Sequence, residues 1–235
     1  MVIERDLLIS LLKLTKDGPV LVENVKRDAK ITMSIARKLL EKLQSEGMVY
    51  LNQDTVEADS YSRLKLAVKA VSTGSDMEYV SNMLRWQEFE EIAAVALERN
   101  GYTVAKNMRF KHAGRKWEID IVGCRKPLVI CIDCKHWRHG TSPSALKRIA
   151  EAQVERTRAL AESLPNVSLE LECTKWEKAK FAPAILTLMP VRFKFYDKVP
   201  IVPVLQLQDF LSQLPAYTEA LKYFLKEFNH LRHDF

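Results

Sequence analysis

Trp117-Glu118-Ile119-Asp120-Ile121-Val122-Gly123 and Val129-Ile130-Cys131-Ile132-Asp133-Cys134-Lys135 are the two runs whose reading decides the fold. Both are rich in β-branched residues. Strand side chains alternate, so Glu118 and Asp120 are expected on one face, with Ile119 and Ile121 on the other. In the second run Cys131, Asp133 and Lys135 share a face opposite Ile130, Ile132 and Cys134. The linker Cys124-Arg125-Lys126-Pro127 is short, polar and proline-bearing, which fits a hairpin turn. An antiparallel hairpin brings Asp120 and Asp133 within a residue or two of each other, with Lys135 beside them.

The surroundings of these acids are unusual. From Arg99 to Arg148 the chain carries twelve Lys and Arg but only three carboxylates, a net +9 against +6 for the whole protein. Such density is the footprint of a polyanion-binding surface. Acids inside a basic field need a reason to be there, and a divalent cation placed beside a phosphate supplies one. Two neighbouring carboxylates resist joint ionisation unless a cation lies between them, and Mg²⁺ or Mn²⁺ takes oxygen ligands of this kind. The combination points to phosphodiester hydrolysis.

A third acid follows from helical phase. Trp86 to Asn100 reads as a helix whose apolar arc is Phe89, Ile92, Ala93, Ala96 and Leu97. Glu91 and Glu98 project to the far side. Glu90 lies at the margin of the arc, where it can reach a site beneath; Glu88, at the other margin, is its rival.

In this order, Phe89-Glu90, Gly101-Tyr102, Ile119-Asp120 and Asp133-Cys134-Lys135 resemble the PD-(D/E)xK nucleases, and within them the Mrr-like restriction endonucleases and the archaeal Holliday junction resolvases. The resemblance covers roughly residues 85–150, with Ile119 where the family name has proline. It implies that Asp120 and Asp133 hold the metal, with the Cys134 main-chain carbonyl and Glu90 as further ligands. It also implies that Lys135 orients or polarises the attacking water and stabilises charge in the transition state. Gln153, on the following helix, matches a glutamine carried by some relatives. Relatives that cut branched junctions act as dimers, which implies a homodimer. Basic residues flanking the two strands, Lys111, Arg115, Lys116, Arg138 and His139, are the candidate nucleic-acid contacts, and Trp137 is placed to pack on sugar or an unstacked base.

Cysteine usage offers a competing reading. Cys131 and Cys134 have CxxC spacing, which can signal zinc or redox chemistry. On a strand, residues three apart point to opposite faces, so free thiols acting as small hydrophobes are expected instead. Four cysteines in 235 residues and no secretory signal favour a reducing, cytoplasmic setting. No apolar run approaches the length of a membrane span.

The first 58 residues read as a separate module. Ile3 to Leu14 is helical, and a second helix lies near Glu23 to Lys30. A third, capped by Thr32 or Ser34, turns Ile35, Leu39, Leu40 and Leu43 inward and stops at Gly47. Met48 to Leu51 and Thr55 to Glu57 suggest a two-stranded wing. This order resembles a winged helix-turn-helix domain, whose third helix would present Arg37, Lys38 and Lys42 to a major groove. The module holds nine basic and nine acidic side chains and is net neutral, so protein docking is a rival use.

Residues 59–83 read as a helical linker, and 84–235 as the nuclease-like domain. Helices are expected at Ser144 to Leu164, Asp209 to Leu214 and Thr218 to Leu231. Strands are expected near Leu169 to Cys173, Ala184 to Leu188, Val191 to Tyr196 and Ile201 to Val204. The fold class is α/β with a mixed sheet, a restriction-endonuclease-like core preceded by a winged helix. The functional expectation is a Mg²⁺- or Mn²⁺-dependent DNA endonuclease. Its rival is a DNA-binding regulatory or scaffold protein that keeps the fold without turnover, and an RNA target is a third option.

Overall fold

The computed structural model describes residues 2–135, 142–165, 169–188 and 191–228, with no side-chain placement for 86–88. The chain divides into two compact units, Met1–Ile92 and Ala93–Phe235. No described helix is long and apolar enough to cross a membrane.

The first unit contains α1 (Val2–Leu14), β1 (Val20–Leu21), α2 (Val22–Asp28), α3 (Met33–Ser45), β2 (Tyr50–Asn52), β3 (Thr55–Glu57), α4 (Ser60–Ser72) and α5 (Met77–Ser81). Leu7, Leu8, Leu11 and Leu12 give α1 a fully buried stripe. Thr32 caps α3 by accepting from the Ile35 N–H at 3.4 Å, and Asp76 caps α5 by accepting from Tyr79 at 2.8 Å. The wing is a three-stranded sheet in the order β1-β3-β2, one strand more than the two expected. Two other expectations need correction. Ile35 is 38% exposed, its inward place on α3 taken by Ala36. The stretch read as a linker contains α4, which packs against α1 and sends Arg63 inward: this guanidinium, 1% exposed, donates to the Leu12 carbonyl at 2.7 Å, Thr15 Oγ1 at 3.1 Å and the Met83 carbonyl at 2.8 Å.

Helix α6 (Trp86–Arg99) runs from the first unit into the second. Its expected arc of Phe89, Ile92, Ala93, Ala96 and Leu97 is buried, while Glu91 and Glu98 are exposed. The second unit continues with β4 (Thr103–His112), β5 (Arg115–Arg125), β6 (Leu128–Lys135), α7 (Pro143–Ser163), β7 (Lys178–Thr187), β8 (Phe195–Tyr196), β9 (Val199–Pro203), α8 (Leu207–Tyr217) and β10 (Phe224–Glu227). It is a mixed α/β fold on a seven-stranded sheet of order β4-β5-β6-β7-β9-β8, with β10 pairing to β7. Antiparallel β4-β5-β6 is joined to β7 and β9 by parallel pairing. Such a sheet is consistent with a restriction-endonuclease-like core.

Both faces of β6 are covered, so all but one of its residues are buried. On one face Val129 and Cys131 join Val122, Cys124 and the α7 residues Ala159 and Leu160 in an apolar cluster. On the other, α6 comes so close that a Cβ on Gly123 would lie 3.2 Å from both Leu97 and Ile130, and 3.3 Å from Tyr102. A Cβ there would need these side chains to give by a few tenths of an ångström.

Two stretches depart from expectation at the C-terminal end. Leu169 to Cys173 is not a strand; a 3₁₀ turn covers Glu172–Lys175. Thr218 to Leu231 is not a helix within the described residues: a 3₁₀ turn at Thr218–Ala220 is followed by β10, antiparallel to the first half of β7. The second half of β7 pairs on the same side with β9. Pro183 sits in the gap between these two ladders. Lys180 and Leu188 donate their N–H groups to carbonyls of the β6 side, so by two-residue alternation an N–H at 183 would aim away from β6, into that gap. A proline is accommodated there because no ladder bond is asked of it.

Candidate active site

Asp120 and Asp133 come together because of where the β5–β6 ladder ends. The last paired residues are Ile121 and Ile132, which makes Asp120 and Asp133 the next facing pair. There the main-chain ladder gives way to a side chain: the Cys134 N–H donates to Asp120 Oδ2 at 2.7 Å. Strict alternation also fails here. Lys106 pairs with Ile121 and Met108 with Ile119, but Asn107, at φ 52°, interrupts the ladder opposite Asp120. As a result Ile119 lies in the same apolar cluster as Val122 and Cys124, not on the face of Ile121 as expected. The kink adds no residue to either strand.

Asp133 is 4% exposed and lies between two cations. Lys135 Nζ is 2.9 Å from Oδ1 and 2.8 Å from Oδ2, with hydrogen-bond geometry on Oδ1 alone. Arg156, from α7, donates to the same Oδ1 at 2.9 Å. Oδ2 is buried and accepts no hydrogen bond from the described residues. Such an atom costs free energy unless something compensates it. Asp120 is the less buried of the pair; burial, and then the neighbouring Asp133 charge, hold its carboxyl above the ordinary aspartate range, against the pull of the Cys134 N–H.

The site is supported from behind. Gln153 is fully buried, and its Nε2 donates to the Cys131 carbonyl at 2.8 Å, while its Oε1 lies 3.4 Å from Arg156 Nη1. Gln153 thus braces β6 and Arg156 rather than joining the carboxylates directly. Arg156 was missed by sequence reading. The available signal was polar Gln153 and Thr157 interrupting the buried α7 stripe of Leu146, Ala150 and Leu160, with Arg156 at its margin.

Other expected residues are placed as follows. Glu90 is half-buried on α6, within the first unit. Lys111, Arg115 and Lys116 form the exposed tip of the β4–β5 hairpin, whose two-residue turn Ala113-Gly114 has both φ positive. Arg115 stacks 4.2 Å over the Trp117 ring. Trp137, Arg138 and His139 lie outside the described residues, as does the side chain of Glu88. On α3, Lys38 is exposed, but Arg37 pairs with Asp54 at 2.8 Å and Lys42 with Glu4 at 3.0 Å. Exposed pairs of this kind hold weakly and yield to a phosphate. None of the four cysteines forms a disulfide, and all four are buried. Cys131 belongs to the α7-side cluster and Cys134 does not, so the CxxC pair does not form a clasp.

Two carboxylates, one with a buried oxygen lacking a donor and the other resisting ionisation by burial, form a donor set suited to Mg²⁺ or Mn²⁺. Such ions keep several waters and bind through one or two carboxylates. Among the described residues no three His, Cys, Asp or Glu side chains converge on one point. Main-chain and water oxygens would complete the shell.

Residues 89–181 match a family described as "Uncharacterised protein family UPF0102". A protein of Archaeoglobus fulgidus, described as uncharacterized, is 26% identical over 135 residues, which is 57% of this chain and 95% of that protein. Among solved structures, a protein of unknown function, AF1548, is 18% identical over 42% of this chain and 46% of its own, with a TM-score of 0.29. Protein VC1899 from Vibrio cholerae is 12% identical over 93% of this chain and 53% of its own, with a TM-score of 0.35. The chain thus spans about half the length of these two solved proteins.

Proposed function

We propose that the protein, whose residues 89–181 match the family described as UPF0102, is a Mg²⁺- or Mn²⁺-dependent endonuclease acting on DNA. The observation that carries this reading is the facing pair Asp120 and Asp133 at the end of the β5–β6 ladder, with Asp133 Oδ2 buried and without a donor. Asp120 and Asp133 would hold the cation, and the Cys134 carbonyl is its further proposed ligand. When bound, the cation would lower the pKa of a water and stabilise charge on the phosphoryl oxygens. Lys135 supplies a fixed positive charge for the attacking water and the developing phosphorane. Arg156 and Gln153 keep Asp133 in place while substrate arrives. Cleavage is tested on linear, nicked, methylated and four-way-junction DNA with Mg²⁺, Mn²⁺ or EDTA. Absence of metal-dependent products from the whole panel would reject the proposal.

A second reading is a DNA-binding scaffold without turnover. It is favoured by one observation: Lys135 and Arg156 already neutralise Asp133. The two readings separate in the same panel, since a scaffold binds and does not cut.

Binding is proposed to run through the hairpin tip, with the winged-helix unit as a second contact. Replacing Lys111, Arg115 and Lys116 together by Ala is expected to flatten the log–log salt dependence of duplex binding by about two to three units, at roughly 0.9 per phosphate contact. Affinity measured from low to moderate salt checks this. An unchanged slope would move the main contact to the first unit, with Lys38 the first residue to test there. A homodimer is proposed by likeness to junction-cutting nucleases, and light scattering at assay concentration tests it.

A further inference from the structure

At the sheet edge formed by β8, the segment Val191 to Lys198 reads Val-Arg-Phe-Lys-Phe-Tyr-Asp-Lys, with cations and aromatics interleaved. Arg192, Phe193, Lys194 and Phe195 are exposed in succession, Phe193 at 39% and Phe195 at 55%. Large apolar rings left in water side by side call for a partner. They are not on a featureless surface. Beside them opens a cavity of about 360 Å³, lined by Lys194 and Phe195 of this segment and by Gln206, Asp209, Phe210 and Gln213.

The lining combines two chemistries. Phe195 and Phe210 both line the cavity and bring aromatic surface to it. Gln206, Asp209 and Gln213, spaced three and four apart around the start of α8, contribute an amide, a carboxylate and a second amide. These three side chains and Lys194 make no hydrogen bond or ion pair with other described residues, so their donors and acceptors are available to a ligand. Outside the cavity, Arg192 lies 5.6 Å from the Phe193 ring, and Lys198 adds another exposed cation. Asp197 is already paired with Lys222 and adds little repulsion.

We propose that this groove receives an unpaired base of single-stranded DNA. The proposal rests on the reading of the chain as a DNA-acting protein and names the substrate feature that reading leaves open. The rings supply a face for the base, since a π-face is offered by any base but only when it is unstacked from a duplex. The amides and the carboxylate match the donors and acceptors of a base edge, with Asp209 suited to an exocyclic amino group. Lys194, Arg192 and Lys198 meet the backbone, the charge complement that a neutral apolar partner would not need. The volume, near the lower end of the roughly 300–1,000 Å³ of small-molecule pockets, suits one ring system. The preferred substrate would then carry a single-stranded segment next to the scissile bond, as a flap, gap or frayed junction does.

The test uses the full chain in EDTA, so that no cleavage is needed. Anisotropy compares a fluorescent oligo-dT with an abasic deoxyribose-phosphate strand of the same length. Wild type is expected to bind oligo-dT about tenfold more tightly than the abasic strand, the scale of one stacked base. Phe195→Ala is expected to remove that difference and Phe195→Trp to keep it, while duplex affinity reports that each variant is folded. Equal affinity of wild type for the two strands overturns the proposal. So does a Phe195→Ala variant that keeps full base discrimination, or oligo-rU bound more than tenfold more tightly than oligo-dT. An aromatic peptide competing with oligo-dT for the groove at lower concentration than a mononucleotide would assign it to a protein partner instead. Failure of metal-dependent cutting with base discrimination intact would sink the nuclease reading alone.

Discussion

Asp133→Asn is expected to lower metal-dependent cleavage by about a thousandfold or more, with duplex binding unchanged or slightly tighter. Asparagine keeps the volume of the side chain and an oxygen for Lys135 and Arg156. What it loses is the second carboxylate oxygen, the one buried without a donor. An amide there removes the negative charge that a divalent cation needs, while the net charge facing phosphate becomes more positive. Plasmid nicking gives the rate and anisotropy the affinity. A variant that cut at the wild-type rate with Mg²⁺ would show that Asp133 holds no metal. Lys135→Ala is expected to be as inactive but to bind DNA modestly less well, because its charge counts toward phosphate as well as chemistry. The opposite sign of the two binding effects separates metal holding from charge stabilisation.

The second large effect concerns stability. Arg63→Met is expected to destabilise the first unit by about 3–5 kcal/mol, because acceptors inside the protein lose their donors at roughly 1–3 kcal/mol each. Met retains the apolar stem, so the loss reports the guanidinium rather than a cavity. The Leu12 and Met83 carbonyls and Thr15 Oγ1 all accept from this one fork, which ties the end of α1 to the segment after α5. Arg63→Lys should recover only part, since a single ammonium cannot reach three acceptors set around a plane. Denaturant unfolding of the three proteins measures this. A loss under about 1 kcal/mol for Met would mean that solvent reaches those acceptors.

Local signals carried much of the architecture. The cap Thr32, the alternation of β6, and the buried arc of α6 are nearest-neighbour chemistry and were legible as such. The facing of Asp120 and Asp133 followed from a short turn and simple counting. What escaped depends on contacts distant in sequence. The kink at Asn107 has meaning only once Asn107 faces Asp120, thirteen positions away. Arg156 gains its role from a strand more than twenty residues earlier. Phe224-Leu225-Lys226-Glu227 has enough good helix formers to read as helical, yet pairing with β7 decides its conformation. Ile35 faces solvent because a stripe of alanine and leucine one residue on fits the module's core better.

The interruption at Pro183 has a kinetic meaning. A continuous strand beside β7 would open as one piece, but here two short ladders meet at a residue that contributes no bond to either. Amides on β10 can therefore exchange with solvent deuterium by detaching Phe224–Glu227 alone, while those protected by the β7–β9 pairing stay closed. The far edge of the sheet is thus divided into two opening units, and the one formed by β10 can peel away without disturbing the strand order that holds Asp133.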